Sequence, residues 1–88
     1  MDFSFTAPIG VPIKGEMWSC VEVPGSVELM GTGRSVRVVG TVDGEQLTSA
    51  MMPTGSGGHM ISISAKLRKK LGKEIGEHVA VHLSERLT

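Results

Sequence analysis

The chain has 88 residues, which predicts a single domain over residues 1–88. A domain of this size has a small hydrophobic core, so dimerisation would add to its stability. Nine basic and nine acidic residues give zero formal charge, which does not favour duplex DNA, because DNA-binding domains usually carry a net basic charge. The single cysteine, Cys20, excludes an internal disulfide and is typical of a reducing compartment. With no signal peptide visible after Met1 and no apolar run near the roughly 20 residues that span a bilayer, we predict a soluble, cytoplasmic protein with no membrane partner.

The first part of the chain predicts two strands and one helical turn. From Phe3 to Ile9, apolar residues alternate with small polar residues or proline, as in a half-buried strand. Pro8 and Pro12 make the far end of this strand an edge or a loop. A second strand is predicted from Met17 to Val23, and Ser26–Met30 could form a single helical turn before the next glycines.

The middle of the chain predicts a β-hairpin followed by a glycine-rich loop. Ser35 to Val42 is a valine-rich strand, and Asp43-Gly44 is a strong signal for a two-residue turn with positive φ angles. Glu45 to Met52 would then return antiparallel. The loop from Pro53 to His59 contains three glycines.

The last third predicts strand, short helix and strand. His59 to Ser64 forms the first strand, after which Ser64 caps a helix from Ala65 to Leu71 that Gly72 ends. The final strand runs from His78 to Ser84, with Val79, Val81 and Leu83 facing inward. The predicted fold class is therefore mainly β, a small closed six-stranded barrel with one short helix.

Several motifs together resemble the DUF1905 family, a domain of unknown function in bacteria and archaea that also occurs fused to a YdeI/OmpD-associated domain. The resemblance covers almost the whole chain and implies a double-split β-barrel, without implying a particular activity. The matching segments are Trp18, Val23-Pro24, the VVGTVDG hairpin from Val38 to Gly44, the glycine loop from Pro53 to His59, and LRKKLGKEIGEHVAV from Leu67 to Val81.

A second resemblance concerns the carboxyl-terminal third. The segment ISISAKLRKKLGKEIGEHVAVHL is similar to AbrB-type swapped-hairpin proteins, which implies a DNA-binding dimer with basic arms. The proline of that pattern is replaced here by Ser64, and the net charge is zero. DNA binding is therefore the third of three functional hypotheses.

The glycine loop is the predicted working surface. Glycines permit backbone N–H groups to converge on a bound oxyanion, and His59 could donate a hydrogen bond or exchange a proton near neutral pH. Lys66 and Arg68 would add positive potential. The alternative is a flexible connection between strands with an exposed histidine.

The leading hypothesis is a domain that binds a small polar or anionic ligand and uses no cofactor. The second hypothesis is a small enzyme in which His59 is an acid or base and Trp18 and Arg34 position a substrate. No catalytic residue is assigned. For Trp18, the alternative is packing at the rim of the barrel. The predicted ligand-binding residues are Trp18, Arg34, Gly55, Gly57, Gly58, His59 and Lys66.

Metal binding and thiol catalysis are not predicted. On a strand, His78 and His82 point to the same side but lie roughly 13 Å apart, too far to share one ion. Cys20 with a distant histidine is the minimum for a thiol nucleophile, but a lone cysteine in a small core is more often inert.

Overall fold

The computed structural model describes all residues, 1–88, and contains eight strands and two short helices. The mainly β class is confirmed, and the helical turn considered at Ser26–Met30 is present as a helix. Neither helix is long and apolar enough to cross a membrane. The elements in chain order are β1 (Phe3–Pro8), β2 (Val11–Ile13), β3 (Glu16–Trp18), β4 (Cys20–Val23), α1 (Ser26–Met30), β5 (Val36–Val42), β6 (Glu45–Pro53), β7 (His59–Ser62), α2 (Ala65–Leu71) and β8 (His78–Arg86).

Six of the strands form one antiparallel sheet that nearly closes into a barrel. Its order is β1-β8-β5-β6-β7-β4, so β1 and β4 are the two edges. The sheet curls until these edges approach each other, and the N–H of Gly10, just after β1, donates to the carbonyl of Cys20 in β4 at 2.7 Å. We call the gap between β1 and β4 the seam. Closure by one such bond, rather than by a full ladder, leaves the seam as the weakest-paired side of the barrel.

The barrel interior holds a single apolar cluster that the alternating strand patterns supply. Val79, Val81 and Leu83 of β8 are buried as predicted, because alternate residues of a strand face the same side. Leu67 and Leu71 of α2 pack against this cluster from outside. The buried members are Ile9, Val21, Val23, Met30, Val36, Val38, Val42, Met51, Ile61, Ile63, Val79, Val81 and Leu83.

The predicted hairpin between β5 and β6 is confirmed. Val36 to Val42 pair with Met51 to Glu45, and the turn residues Asp43 and Gly44 have φ angles of 49° and 83°. Two positive φ values define the mirror-image turn that matches the twist of the flanking strands.

Asp43 also fastens this turn to β8 and to the segment after α2. Its carboxylate accepts hydrogen bonds from the Lys73 ammonium at 2.7 Å and from the N–H of Ala80 at 2.8 Å. The hydrogen bond from Lys73, followed by that from Ala80, lowers the pKa of the Asp43 carboxyl below its ordinary value. The folded chain therefore favours the ionised carboxylate at this turn.

A glycine allows β5 and β8 to approach at an irregular point of their ladder. Val39 pairs with Glu85, whereas the next residue, Gly40, pairs with Leu83. This shift in register marks a β-bulge. A β-carbon at Gly40 would overlap the carbonyl of His82, which is backbone and cannot rotate away. Close strand contact here requires a residue without a side chain.

The predicted strand from Met17 to Val23 is instead two strands, β3 and β4. The break is at Ser19, which bonds out of the strand: its Oγ donates to the Ile63 carbonyl at 2.6 Å, and its own carbonyl accepts from the Ile63 N–H. β3 pairs with β2 in a separate ribbon whose turn, at Lys14 and Gly15, has positive φ at both residues. The expected edge or loop around Pro12 therefore includes a strand, which the pattern missed because lysine is not a usual turn signal.

Candidate functional site

The glycine loop between β6 and β7 is organised around the side chain of Thr54. Thr54 Oγ1 accepts from the N–H groups of Ser56 and Gly58, each at 3.3 Å, and the Thr54 N–H donates to the Gly58 carbonyl at 3.0 Å. Two of the N–H groups expected to turn toward a guest are therefore used inside the loop. These two N–H groups are therefore not free to bind an anion.

The three loop glycines have different physical causes. Gly55 and Gly57 have φ angles of 86° and 95°, a backbone conformation that other residues rarely adopt, so the turn itself requires them. Gly58 has no such φ. A β-carbon there would lie 3.7 Å from Thr54 Oγ1 and 4.0 Å from both the Glu22 carboxylate and the Ser26 hydroxyl. Gly58 therefore keeps open the space between these side chains.

His59 begins β7 and is fully buried, in contrast to the exposed histidine of the connector hypothesis. Its Nε2 lies 2.8 Å from the Arg34 carbonyl, and its Nδ1 lies 2.8 Å from the Ser26 Oγ. A carbonyl only accepts hydrogen bonds, so Nε2 carries a hydrogen. In the neutral ring, Nδ1 is then the acceptor, and the Ser26 hydroxyl donates to it.

Ser26 is the functional candidate that the sequence did not reveal. It is the first residue of α1, only 2% exposed, and it follows a Pro-Gly stop that indicates nothing beyond the end of a strand. Its partner His59 is 33 residues away in the chain. Only the fold brings the hydroxyl and the imidazole together.

A cavity of about 330 Å³ lies where the glycine loop meets the end of β4 and the start of α1; we call it the loop cavity. The lining includes two acidic residues, Glu22 and Glu28, and no lysine or arginine. The excess of negative charge opposes an anionic guest and favours a neutral or cationic one. The lining residues are Glu22, Val23, Pro24, Gly25, Ser26, Val27, Glu28, Ser56, Gly57 and Gly58.

A second cavity, of about 390 Å³, continues from the first along the seam. Glu22, Pro24 and Ser56 line both cavities, so together the two form one depression. The remaining walls come from the end of β1 and the start of β2, including Thr6 and Val11. The depression thus follows the side of the barrel that the hydrogen-bond ladder leaves open.

The seven predicted ligand-binding residues are not gathered around one cavity. Gly57 and Gly58 line the loop cavity, and His59 lies behind Ser26. Gly55 is in the same loop but does not line the cavity. Arg34 is an exposed residue, and its backbone carbonyl accepts a hydrogen bond from His59.

The other two predicted residues lie on different surfaces. Trp18 pairs with Val11 in the β2–β3 ribbon and is 42% exposed. Lys66 is exposed on α2, where it lines a separate depression with Ser64 and Leu67. The expectation that Trp18 or Lys66 joins the loop in one cavity is therefore not met, and their contact with a ligand stays a prediction.

Five basic residues lie between Lys66 and Lys73, on α2 and in the segment just after it. Lys70 pairs with Glu45 at 3.1 Å, and Lys73 with Asp43, so part of the run is neutralised within the chain. No group of three histidine, cysteine, aspartate or glutamate side chains is arranged to hold a metal ion. Cys20 is buried, and burial raises the pKa of its thiol, which disfavours the thiolate that a nucleophile would need.

Comparison with known proteins identifies the family of the chain. No curated protein matches the chain. The family model described as "Domain of unknown function (DUF1905)" matches residues 5–83, which include all six strands of the barrel in whole or in part. This confirms the resemblance drawn from the Val38–Gly44 hairpin and the glycine loop: the chain belongs to the DUF1905 family.

Proposed function

We propose that this barrel binds a small polar molecule, neutral or positively charged, in the loop cavity. The observation that carries the proposal is the composition of the cavity wall. Ser26 and Ser56 offer hydroxyls and Glu22 and Glu28 offer carboxylates around one concave space beside the predicted loop. Groups of this kind fix and orient a guest that carries hydroxyl or amine donors.

The size of the cavity supports a small guest. About 330 Å³ is near the lower end of the range of ligand pockets, roughly 300–1,000 Å³. The apolar side chains of the lining are those of Val23, Pro24 and Val27, which are too few to hold a lipid or a large aromatic compound. The continuation along the seam gives room for a longer substituent on the same guest.

The charge of the wall supports a polar rather than an anionic ligand. The Glu22 carboxylate lies 4.0 Å from the point where a Gly58 side chain would start, so it faces the glycine loop. The loop N–H groups of Ser56 and Gly58 are already bonded to Thr54. An anion would meet a carboxylate without compensating donors from these two amides, which is unfavourable.

The test is a comparison of guests that differ in charge, observed through the backbone amides. We expect choline and glycerol, but not acetate or phosphate, to shift the amide resonances of Val27, Gly57 and Gly58 in a titration followed by NMR. Gly58→Val should remove the shifts, because its side chain fills the space between Thr54, Glu22 and Ser26.

The matched control is Gly33→Ala, which lies in open space without a positive φ and should leave binding unchanged. Shifts produced best by the anions, or shifts centred on Trp18 or Lys66 instead of the loop, would contradict the proposal. Retention of binding in Gly58→Val would also contradict it.

The enzyme hypothesis is the second candidate, and one observation favours it: the hydrogen bond between Ser26 and His59 beside the cavity. His59 as an acid or base would act through that hydroxyl, since His59 itself does not line the cavity.

A further inference from the structure

We infer that Ser26 is a nucleophile activated by His59, so that the loop cavity is an ester-hydrolysing site; this rests on the proposed function, because the ester must occupy that cavity. Serine hydroxyls become nucleophilic when an adjacent base accepts their proton and a third group orients the base. Here Nδ1 of His59 is 2.8 Å from Ser26 Oγ, and the Arg34 carbonyl holds Nε2 at 2.8 Å.

The arrangement directs the proton along one path. Because Nε2–H is bound to the Arg34 carbonyl, the neutral imidazole has its lone pair at Nδ1, facing the hydroxyl. The ring is completely buried at the start of β7, so packing as well as hydrogen bonding fixes its orientation. Positioning of this kind lowers the barrier because the geometry is formed before the substrate arrives.

Ser26 connects the buried imidazole to the loop cavity. Ser26 lines the cavity and is bonded to His59, which does not line it, so a guest would approach Ser26 before the imidazole. Gly58, opposite, leaves free the space that a side chain would fill 4.0 Å from Ser26 Oγ. Both sides of the reacting oxygen, base and substrate space, are therefore present.

The reaction proceeds in two balanced steps. Ser26 Oγ bonds to the carbonyl carbon of the ester while its proton passes to His59 Nδ1; the bond to the leaving alcohol then breaks, and the leaving oxygen takes that proton. Water attacks the acyl-serine in the second step and gives its proton to Nδ1, which returns it to Ser26 Oγ as the carboxylic acid departs. The net change is ester plus water to acid plus alcohol, with no further reactant.

The charge near Ser26 indicates which esters would be accepted. The Glu22 carboxylate and the Ser26 hydroxyl each lie 4.0 Å from the same point beside Gly58, so they are within about 8 Å of each other. A cationic alcohol group would be attracted to Glu22, and an ester bearing a carboxylate would be repelled. We therefore assign neutral and cationic esters as the substrate class.

The first experiment is mass mapping of the unmodified chain after exposure to p-nitrophenyl acetate or a fluorophosphonate. We expect one adduct per chain, located on Ser26. Ser26→Ala should lower the rate of nitrophenol release about 100-fold, the low end of the range for loss of such assistance. Ser84→Ala, which removes an exposed hydroxyl that donates to the Val39 carbonyl and lies outside both cavities, should stay within about twofold.

Mapping of the unmodified chain keeps the test decisive even if a variant fails to fold. An adduct found only on surface lysines, or an unchanged rate in a folded Ser26→Ala, would overturn the assignment and leave Ser26–His59 as a structural bond. If choline shifts the loop amides but no adduct forms, ligand binding stands and hydrolysis falls; if neither occurs, both fall.

The second experiment tests the substrate class by acid release in a pH-stat. Acetylcholine should have a KM roughly 2- to 30-fold below that of its uncharged analogue, in which carbon replaces the quaternary nitrogen. This range is what a charge separation of about 8 Å between that nitrogen and the Glu22 carboxylate would give. Glu22→Gln should reduce this ratio toward one, because the charge that distinguishes the two esters is then absent. An unchanged ratio in Glu22→Gln would remove Glu22 from substrate selection.

Discussion

Replacement of Gly40 by alanine is the sharpest test of how the barrel is assembled. The added methyl group would overlap the His82 carbonyl and press on the Leu83 backbone, in a stretch where β5 and β8 must approach closely. Overpacking typically costs about 1–3 kcal/mol, and the upper end applies because the atoms that must move are backbone. We expect Gly40→Ala to lower the free energy of unfolding by about 3 kcal/mol or more.

Such a loss is large for this chain. Domains of this kind have about 5–15 kcal/mol of total stability, and 1 kcal/mol corresponds to about 4–8 °C in melting temperature at this size. Gly40→Ala should therefore melt at least about 12 °C lower, measured by circular dichroism on heating and by urea titration. Gly33→Ala, in open space and without a positive φ, should be within about 0.5 kcal/mol of the unchanged chain. A loss below about 1 kcal/mol for Gly40→Ala would refute the close approach.

Four further outcomes are expected. In urea titrations, Val38→Ala and Val81→Ala should each lose about 1–3 kcal/mol, whereas the exposed Lys69→Ala should change by less than about 0.5 kcal/mol; equal losses would mean that the inside of the barrel is misassigned. Asp43→Asn should lower the free energy of unfolding at neutral pH. A carboxyl with a lowered pKa stabilises the fold above its ordinary pKa, and this stabilisation is lost as the pH falls through the pKa of the folded state. The variant should therefore lose less stability than the unchanged chain when the pH falls below about 4. The buried Cys20 should react with a disulfide reagent only as fast as the chain unfolds, and fast labelling in native buffer would contradict its burial. Protein at submicromolar concentration should not shift duplex DNA at moderate salt, and a sequence-specific shift would revive the AbrB-like hypothesis.

Periodicity and turn residues predicted most of the barrel because local chemistry determines those features. The alternation in β8 and the Asp43-Gly44 turn each follow from sequence neighbours, as does the Ser64 cap, whose Oγ accepts from the Leu67 N–H at 3.1 Å. The division of the Met17–Val23 segment could not be predicted this way, since Ser19 leaves the strand to bond with Ile63, 44 residues away. A strand that ends because of a contact with a distant residue shows no change in its pattern of apolar and polar residues.

The glycine loop shows the same limit at the candidate site. Its composition predicted a ligand-binding surface, which stays a prediction. Two of its glycines are explained by the turn, and Gly58 borders the space beside Ser26. Sequence reasoning placed His59 at the loop end as a group that meets the guest. In the structure His59 is buried and does not line the cavity, and it is bonded to Ser26, which does.

The seam explains why chemistry would be located on this side of so small a barrel. A closed ladder satisfies its own backbone groups and offers a guest only side chains, whereas the edge at β4 carries Glu22 outward and passes directly into the turn that presents Ser26. The buried imidazole of His59 then supplies a base from the neighbouring strand, β7, which pairs with β4 along its whole length. Incomplete closure, a carboxylate and a hydroxyl bonded to a base thus coincide at one edge. If substrates of the proposed hydrolysis reach Ser26 along the seam, a disulfide engineered across β1 and β4 should stabilise the fold and slow the reaction, because it narrows the second cavity, which Glu22 also lines. Full esterase activity in that cross-linked chain would show that substrates do not enter along the seam.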